Sequence, residues 1–217
     1  MQVTDAVQRR KTVRDFLDDP IPNDVIADLL RTASRAPSGG NLQPWRIYVV
    51  NGESMARFRE HMQNEPPSST LEYDIYPNKL WDPYRTRRFT VGEQMYATMG
   101  IERDDKAGRL AQFSRNMDFF GAPAAIFCFI DRNLGPPQWS DLGMFLQTFM
   151  LLAEEAGWQT CPQEAWAVAH EQVRSFTGAS DDLMLFCGVA IGRANPDHPI
   201  NSLVSERARL DEFATFL

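Results

Sequence analysis

The stretch from Ser140 to Ala156 limits the possible folds more than any other, because it reads as a helix with too much apolar surface for the outside of a domain. Leu142, Phe145, Leu146, Phe149, Met150 and Ala153 recur at helical spacing, and Met144, Leu151 and Leu152 widen the stripe beyond one face. Such a helix belongs at the centre of a layered domain or between two copies of the chain, with Gly157 at its C-terminal cap. Its aromatic residues are assigned to core packing rather than to a cofactor box. Three short apolar runs, Ile47 to Val50, Ala122 to Asp131 and Leu183 to Ile191, supply strands to pack on it. Unbroken runs of that length suit strands buried on both faces.

Helices are also expected from Thr4 to Arg10 with Thr4 as N-cap, from Pro22 to Arg35 with Asn23 as N-cap, and from Glu53 to Asn64. Another runs from about Ala165 to Phe176, entered through a proline turn at Thr160 to Trp166. In that turn a lone Glu164 is a favourable charge for a helix N-terminus.

Between the second helix and the first strand lies Ala36-Pro37-Ser38-Gly39-Gly40-Asn41-Leu42-Gln43-Pro44-Trp45. Two prolines fix φ, two glycines permit positive φ and close backbone approach, and Ser38, Asn41 and Gln43 add short hydrogen-bonding groups. It reads as a shaped polar loop; on composition alone, an ordinary Pro/Gly connection is the alternative. Arg9, Arg10, Lys11 and Arg14 form a second cluster, with Thr12 among them and Val13 and Phe16 as apolar anchors. A solvated charged face is one reading. The other is a phosphate site, which needs this mixture of guanidinium and neutral donors.

The chain has 217 residues and a formal charge of -7, which argues against sequence-independent nucleic-acid binding. No signal-like or membrane-spanning apolar run is found, so a soluble cytoplasmic protein without membrane partners is expected. Cys128, Cys161 and Cys187 form no CxxC or Cys/His group, and His61, His170 and His198 lack ligand spacing; no metal site is expected. Residues Thr70 to Phe120 interleave Tyr73, Tyr76, Trp81, Tyr84, Phe89 and Tyr96 with Arg85, Arg87 and Arg88. Such a mixture can bind single-stranded nucleic acid, but acidic neighbours such as Asp82, Glu93 and Asp105 cancel the field, and helices covering a site are the better reading. There is no GxGxxG, GxxxxGK[ST] or GxSxG. A nicotinamide seated in a Rossmann crevice is therefore not expected.

The segment Arg9-Arg10-Lys11-Thr12-Val13-Arg14-Asp15-Phe16, taken with the 36–45 loop, resembles the signature of the FMN-dependent nitroreductase family. The family pattern is basic-basic-Ser/Thr-x-basic-x-Phe followed by Ala-Pro-Ser-x-x-Asn-x-Gln-Pro-Trp. The likeness runs from about residue 7 to the C-terminus and is strongest to the nitrobenzoate-reductase-like branch. It implies an α+β fold, with a central mixed sheet flanked by helices, as a single domain over 1–217 with a helical lid insertion at about 66–120. The homodimer it implies is intertwined, its C-terminal extension exchanged onto the partner, and the lid helps to line the partner's substrate pocket.

The resemblance further implies NAD(P)H-dependent, ping-pong reduction of nitroaromatics or quinones, small aromatic electron acceptors, with FMN as cofactor and NADH or NADPH as donor. Other flavin reactions on the same fold, and flavin binding without turnover, are the alternatives. By the same likeness Arg10, Lys11 and Thr12, with Arg207 and Arg209, hold the phosphate, and Pro37, Ser38, Gly39 and Asn41 come from the other subunit. Arg14 and Asn116 face the ring, while backbone from Pro162, Gln163, Glu164 and Ala165 lies at the hydride-transferring nitrogen. No side chain is expected to act as catalytic base.

Overall fold

One four-stranded sheet organises the computed structural model, which describes residues 1–217. Its strands are β1 (Arg46–Asn51), β2 (Ala124–Asp131), β3 (Gln159–Gln163) and β4 (Leu183–Gly192), in the order β1-β2-β4-β3. All neighbouring strands pair antiparallel. The parallel component is a single bridge, Thr12 to Thr160, which ties the basic N-terminal segment to β3. The helices are α1 (Val3–Arg9), α2 (Asn23–Ala33), α3 (Glu53–Asn64), α4 (Tyr84–Thr98), α5 (Lys106–Ser114), α6 (Pro136–Glu155) and α7 (His170–Thr177).

Alternation along β2 divides the core into two layers, as a period of two residues demands. Ala124, Ile126, Cys128 and Ile130 join a cluster with Ile26 and Leu29 of α2 and Leu142, Phe145 and Phe149 of α6. Ala125, Phe127 and Phe129 face the other way, onto Phe58 of α3 and Val173 of α7. There Phe58, Phe119, Phe127 and Trp166 form an aromatic group with ring centroids 4.5 to 5.9 Å apart. Gly188 of β4 is required beneath it, since a Cβ there would come within 2.6 Å of Trp166 Nε1.

Several expected boundaries move. Helix α1 starts at Val3 because Asp5 accepts a hydrogen bond from the Gln2 N–H (3.3 Å), so Gln2 rather than Thr4 occupies the cap. Pro22, not Asn23, precedes α2, and the Asn23 side chain instead accepts from Asn51 Nδ2. Helix α6 begins at Pro136, since two prolines at its first positions need no N–H partners. The run Ile47 to Val50 is half-buried on an edge strand rather than covered on both faces. The expected proline turn at 160–166 is instead strand β3 and the start of a 3-10 turn; Pro162 is tolerated because β3 is the opposite edge.

Candidate functional site

A cavity of about 610 Å³ opens between the insertion and the end of β3. It brings together six residues singled out from sequence: Arg14, Asn116, Pro162, Gln163, Glu164 and Ala165. The bridge at Thr12 and the Val13 N–H bond to Thr160 O (3.0 Å) hold the Arg14 segment against β3. The Arg14 N–H donates to Asn201 Oδ1 (2.9 Å), and the Lys11 ammonium donates to Asn201 O, so the buried Asn201 fixes both basic residues.

Gln163 Nε2 donates to Asn116 O (2.9 Å) and Oδ1 (3.1 Å), which joins the two cavity walls. Gln163 Oε1 and Gln112 Nε2 are buried with no partner in the chain, one free acceptor and one free donor beside the same space. Buried polar groups normally find partners, so this pair marks a place where a ligand's own polar edge can complete the bonding. Burial raises the pKa of the Glu164 carboxyl. Burial also pushes the Cys161 thiol up to about 12, against the opposing influence of Arg14.

The basic cluster concentrates positive charge. Arg10 is half-buried, and its pKa is lowered first by desolvation and next by the nearby Arg207, with Glu154 opposing. Cations from the two ends of the chain are thus held together despite their repulsion. Arg207 curls onto Ser205 and Glu206, and its neighbour Arg209 turns to Asp211 (3.1 Å) rather than toward Arg10.

The loop with Pro37, Ser38, Gly39 and Asn41 lies outside the cavity of its own chain. Trp45 stacks on Phe145 at 4.9 Å, and buried Asp141 accepts from the Gly39 N–H at 3.2 Å, so α6 sets the loop's position. Gly40 adopts φ +58°, and Asn41 and Gln43 are also left-handed, a costly backbone that Ser38 Oγ supports by accepting from the Gln43 N–H (3.0 Å). The tip is exposed, with Asn41 facing solvent.

Sequence reasoning named Tyr76, Arg88, Phe89 and Tyr96 only as part of a cover over a site and missed the wall residues Gln112 and Phe120. The signal was the density of aromatics and arginines there, but not its register. Phe119 and Phe120 both have positive φ, which turns Phe119 into the aromatic core and Phe120 onto the cavity wall. The insertion lines a cavity of its own chain.

The chain is similar to known proteins along nearly its whole length. The chain is 35% identical over 219 aligned residues to a chloronitrobenzene nitroreductase of Comamonas testosteroni, covering 99% of this chain and 96% of the relative. It is 36% identical to a 4-nitrobenzoate reductase of Pseudomonas putida, covering 98% and 94%. Among solved structures, the FMN and NADPH-dependent nitroreductase NfnB of sphigopyxis sp. strain HMH superposes with a TM-score of 0.95 at 45% identity, covering 100% and 99%. NfnB of Mycobacterium smegmatis, solved in complex with NADPH, gives 0.91 at 27% identity, covering 100% of both chains. The model of the nitroreductase family matches residues 7–193, and the chain belongs to that family.

Proposed function

We propose that the chain is an FMN-dependent NAD(P)H oxidoreductase that reduces nitroaromatic or quinone acceptors two electrons at a time. The observation that carries this reading is one cavity lined by Arg14, Asn116 and the 162–165 segment, with Arg10 and Arg207 repelling each other nearby, which together with desolvation lowers the pKa of Arg10. A phosphate between them would turn that repulsion into charge-assisted hydrogen bonding. Lys11 and the Thr12 hydroxyl complete the donor set. Arg209 joins from the same tail, since its fully exposed pair with Asp211 is readily exchanged.

The residues present fit FMN. Gln163 Oε1, buried without a donor, with Asn116 beside it, suits the alternating N–H and carbonyl edge of a flavin ring. When bound, FMN supplies the hydride-accepting and hydride-donating centre that the side chains lack. The chain's own part is positioning and electrostatics. Arg14, which lines the cavity, would set a fixed cation beside bound FMN and so favour its reduced form electrostatically. Backbone from Pro162, Gln163, Glu164 and Ala165 would orient the reacting edge, and Tyr76, Phe89 and Phe120 line the cavity with rings. Donor and acceptor use the cavity in turn. The net change converts one nitro compound, one NAD(P)H and one proton into the nitroso compound, NAD(P)+ and water, with solvent as proton source.

The reading includes a single domain whose residues at about 66–120 act as a lid, and a homodimer working in the cytoplasm. Pro37, Ser38, Gly39 and Asn41 lie off their own cavity, so they reach a flavin only as part of a second subunit. No helix is long and apolar enough to cross a membrane, and the three cysteines are free, in keeping with a reducing compartment.

The test is spectroscopic. The purified protein should carry a flavin spectrum that bleaches when NADH or NADPH is added without oxygen and recovers on addition of 4-nitrobenzoate or a quinone. Arg10→Ala and Arg207→Ala should each weaken FMN retention by about tenfold or more. A colourless protein, or a yellow one that nicotinamide leaves unchanged, would reject the enzyme.

A further inference from the structure

Charge in the cavity is not balanced evenly. Of the charged side chains on the insertion's wall, Arg85 is paired with Asp82 (2.8 Å), and Glu93 is held in a two-bond pair by Arg109 (2.7 and 3.0 Å). Arg88 pairs with no carboxylate. Its guanidinium carbon stands 4.2 Å from the centroid of the Tyr76 ring, and both side chains line the cavity. Stacking on a ring face restrains the guanidinium without neutralising it, so its in-plane N–H groups stay free for an anion. Phe89, Tyr96, Phe113 and Phe120 surround the same space with rings. A flat aromatic body beside a stacked, unpaired guanidinium on the insertion's wall describes a ligand with an anionic substituent on an aromatic ring.

On these grounds, and resting on the reading of the cavity as a nitroreductase site, we infer that Arg88 is a specificity-determining residue that selects aromatic acceptors bearing a carboxylate or sulfonate over neutral ones. A bidentate contact between guanidinium and carboxylate forms only with the anionic acceptor, so Arg88 acts on its binding and leaves neutral nitroarenes unaffected. A phosphate of the nicotinamide donor presents similar chemistry to the same guanidinium. That source predicts an effect on the reductive half of the cycle instead.

The test compares the FMN-loaded wild type with Arg88→Gln and Arg88→Lys. Acceptors are 4-nitrobenzoate, 4-nitrobenzenesulfonate and the neutral 4-nitrobenzamide, each with NADH and with NADPH. For Arg88→Gln, kcat/KM on the two anionic acceptors should fall about 10- to 100-fold, mainly through KM, while 4-nitrobenzamide changes less than about twofold. Arg88→Lys should recover part of the loss, since it restores charge without the fork. Equal losses on charged and neutral acceptors, or no loss on either, would overturn the assignment. A loss confined to anaerobic reduction by NADPH would move the anion to the donor and overturn it as well. Calorimetric binding of 4-nitrobenzoate to the oxidised holoprotein adds an arm independent of turnover. Should no variant reduce any nitro compound, the enzyme reading fails, while weaker binding in Arg88→Gln still supports the Arg88 assignment and unchanged binding rejects it.

Discussion

Glu164 shows how one residue's surroundings become a measurable property. Burial raises the pKa of its carboxyl above the ordinary value, so the folded state prefers the protonated form. Below about pH 4 folded and unfolded chains both hold the proton and the residue is neutral to stability. As pH climbs past the unfolded value toward the raised folded one, the unfolded chain ionises first and the fold loses stability. Glu164→Gln is therefore expected to melt above wild type at pH 7, with the gap closing as pH falls toward 4. Scanning calorimetry across that range checks it, and a gap that stays constant with pH would show that the carboxyl's ionisation is not the cause. Nothing local in the sequence announces this residue: a glutamate opening a helical turn is ordinary, and the partial desolvation that shifts it comes from the fold around it. The same holds for Arg10, whose distinguishing feature is Arg207, nearly the whole chain away.

At the scale of elements, the insertion is fastened to the main body by a buried acid. The Glu72 side chain is 1% exposed; it accepts from Arg132 Nη2 (2.6 Å) and the Leu185 N–H (3.2 Å), pairs with the His170 ring, and lies 3.5 Å from Arg174. Next to it Ser69 donates its N–H and hydroxyl to Glu171 of α7 (3.0 and 2.8 Å), and the Tyr73 hydroxyl donates to Phe186 O. Removing the charge leaves several cationic or donor groups facing one another, so Glu72→Gln is expected to cost about 3 kcal/mol of stability. It should also expose residues 66–83 to proteolysis before the sheet unfolds. Urea denaturation with limited proteolysis reads both; an unchanged midpoint and cleavage pattern would mean that the insertion is held elsewhere. Elements whose character is local were legible in the sequence. Strands β2 and β4 are unbroken apolar runs, and α6 declares itself by its stripe. Strand β3 was not legible, because Gln159 and Gln163 are polar, Pro162 reads as a turn, and its identity comes from pairing with β4. In α4 the apolar residues follow no single face and none is buried, so sequence gave no register for which side chains meet the cavity. Arg14, Asn116 and the 162–165 segment were placed in one site through family likeness, and the Thr12 bridge is the physical link that brings Arg14 to β3.

For the whole molecule, apolar surface is distributed in a way that a single chain does not explain. Val204, Phe213 and Phe216 of the tail are 76%, 69% and 86% exposed, and Leu42 at the polar loop is 56% exposed. The tail's main tie to its own chain is a solvent-exposed pair, Arg87 with Glu212 at 2.9 Å, and such pairs hold little. Phenylalanines left in water on an extended segment are costly unless a second surface takes them. A partner subunit would do so, and the loop at 37–41 would then arrive at the neighbouring cavity with it. The wild type is accordingly expected to have twice the 24.7 kDa mass of the chain by light scattering at micromolar concentration. Phe213→Ala with Phe216→Ala should weaken dimerisation by about 100-fold or more, as loss of two interface anchors does. Because Arg207 stays in place in that variant, FMN should leave in proportion to the monomer formed, through loss of the partner's loop. A wild-type monomer that retains flavin, or a variant that becomes monomeric with its flavin intact, would show that each chain builds its site alone.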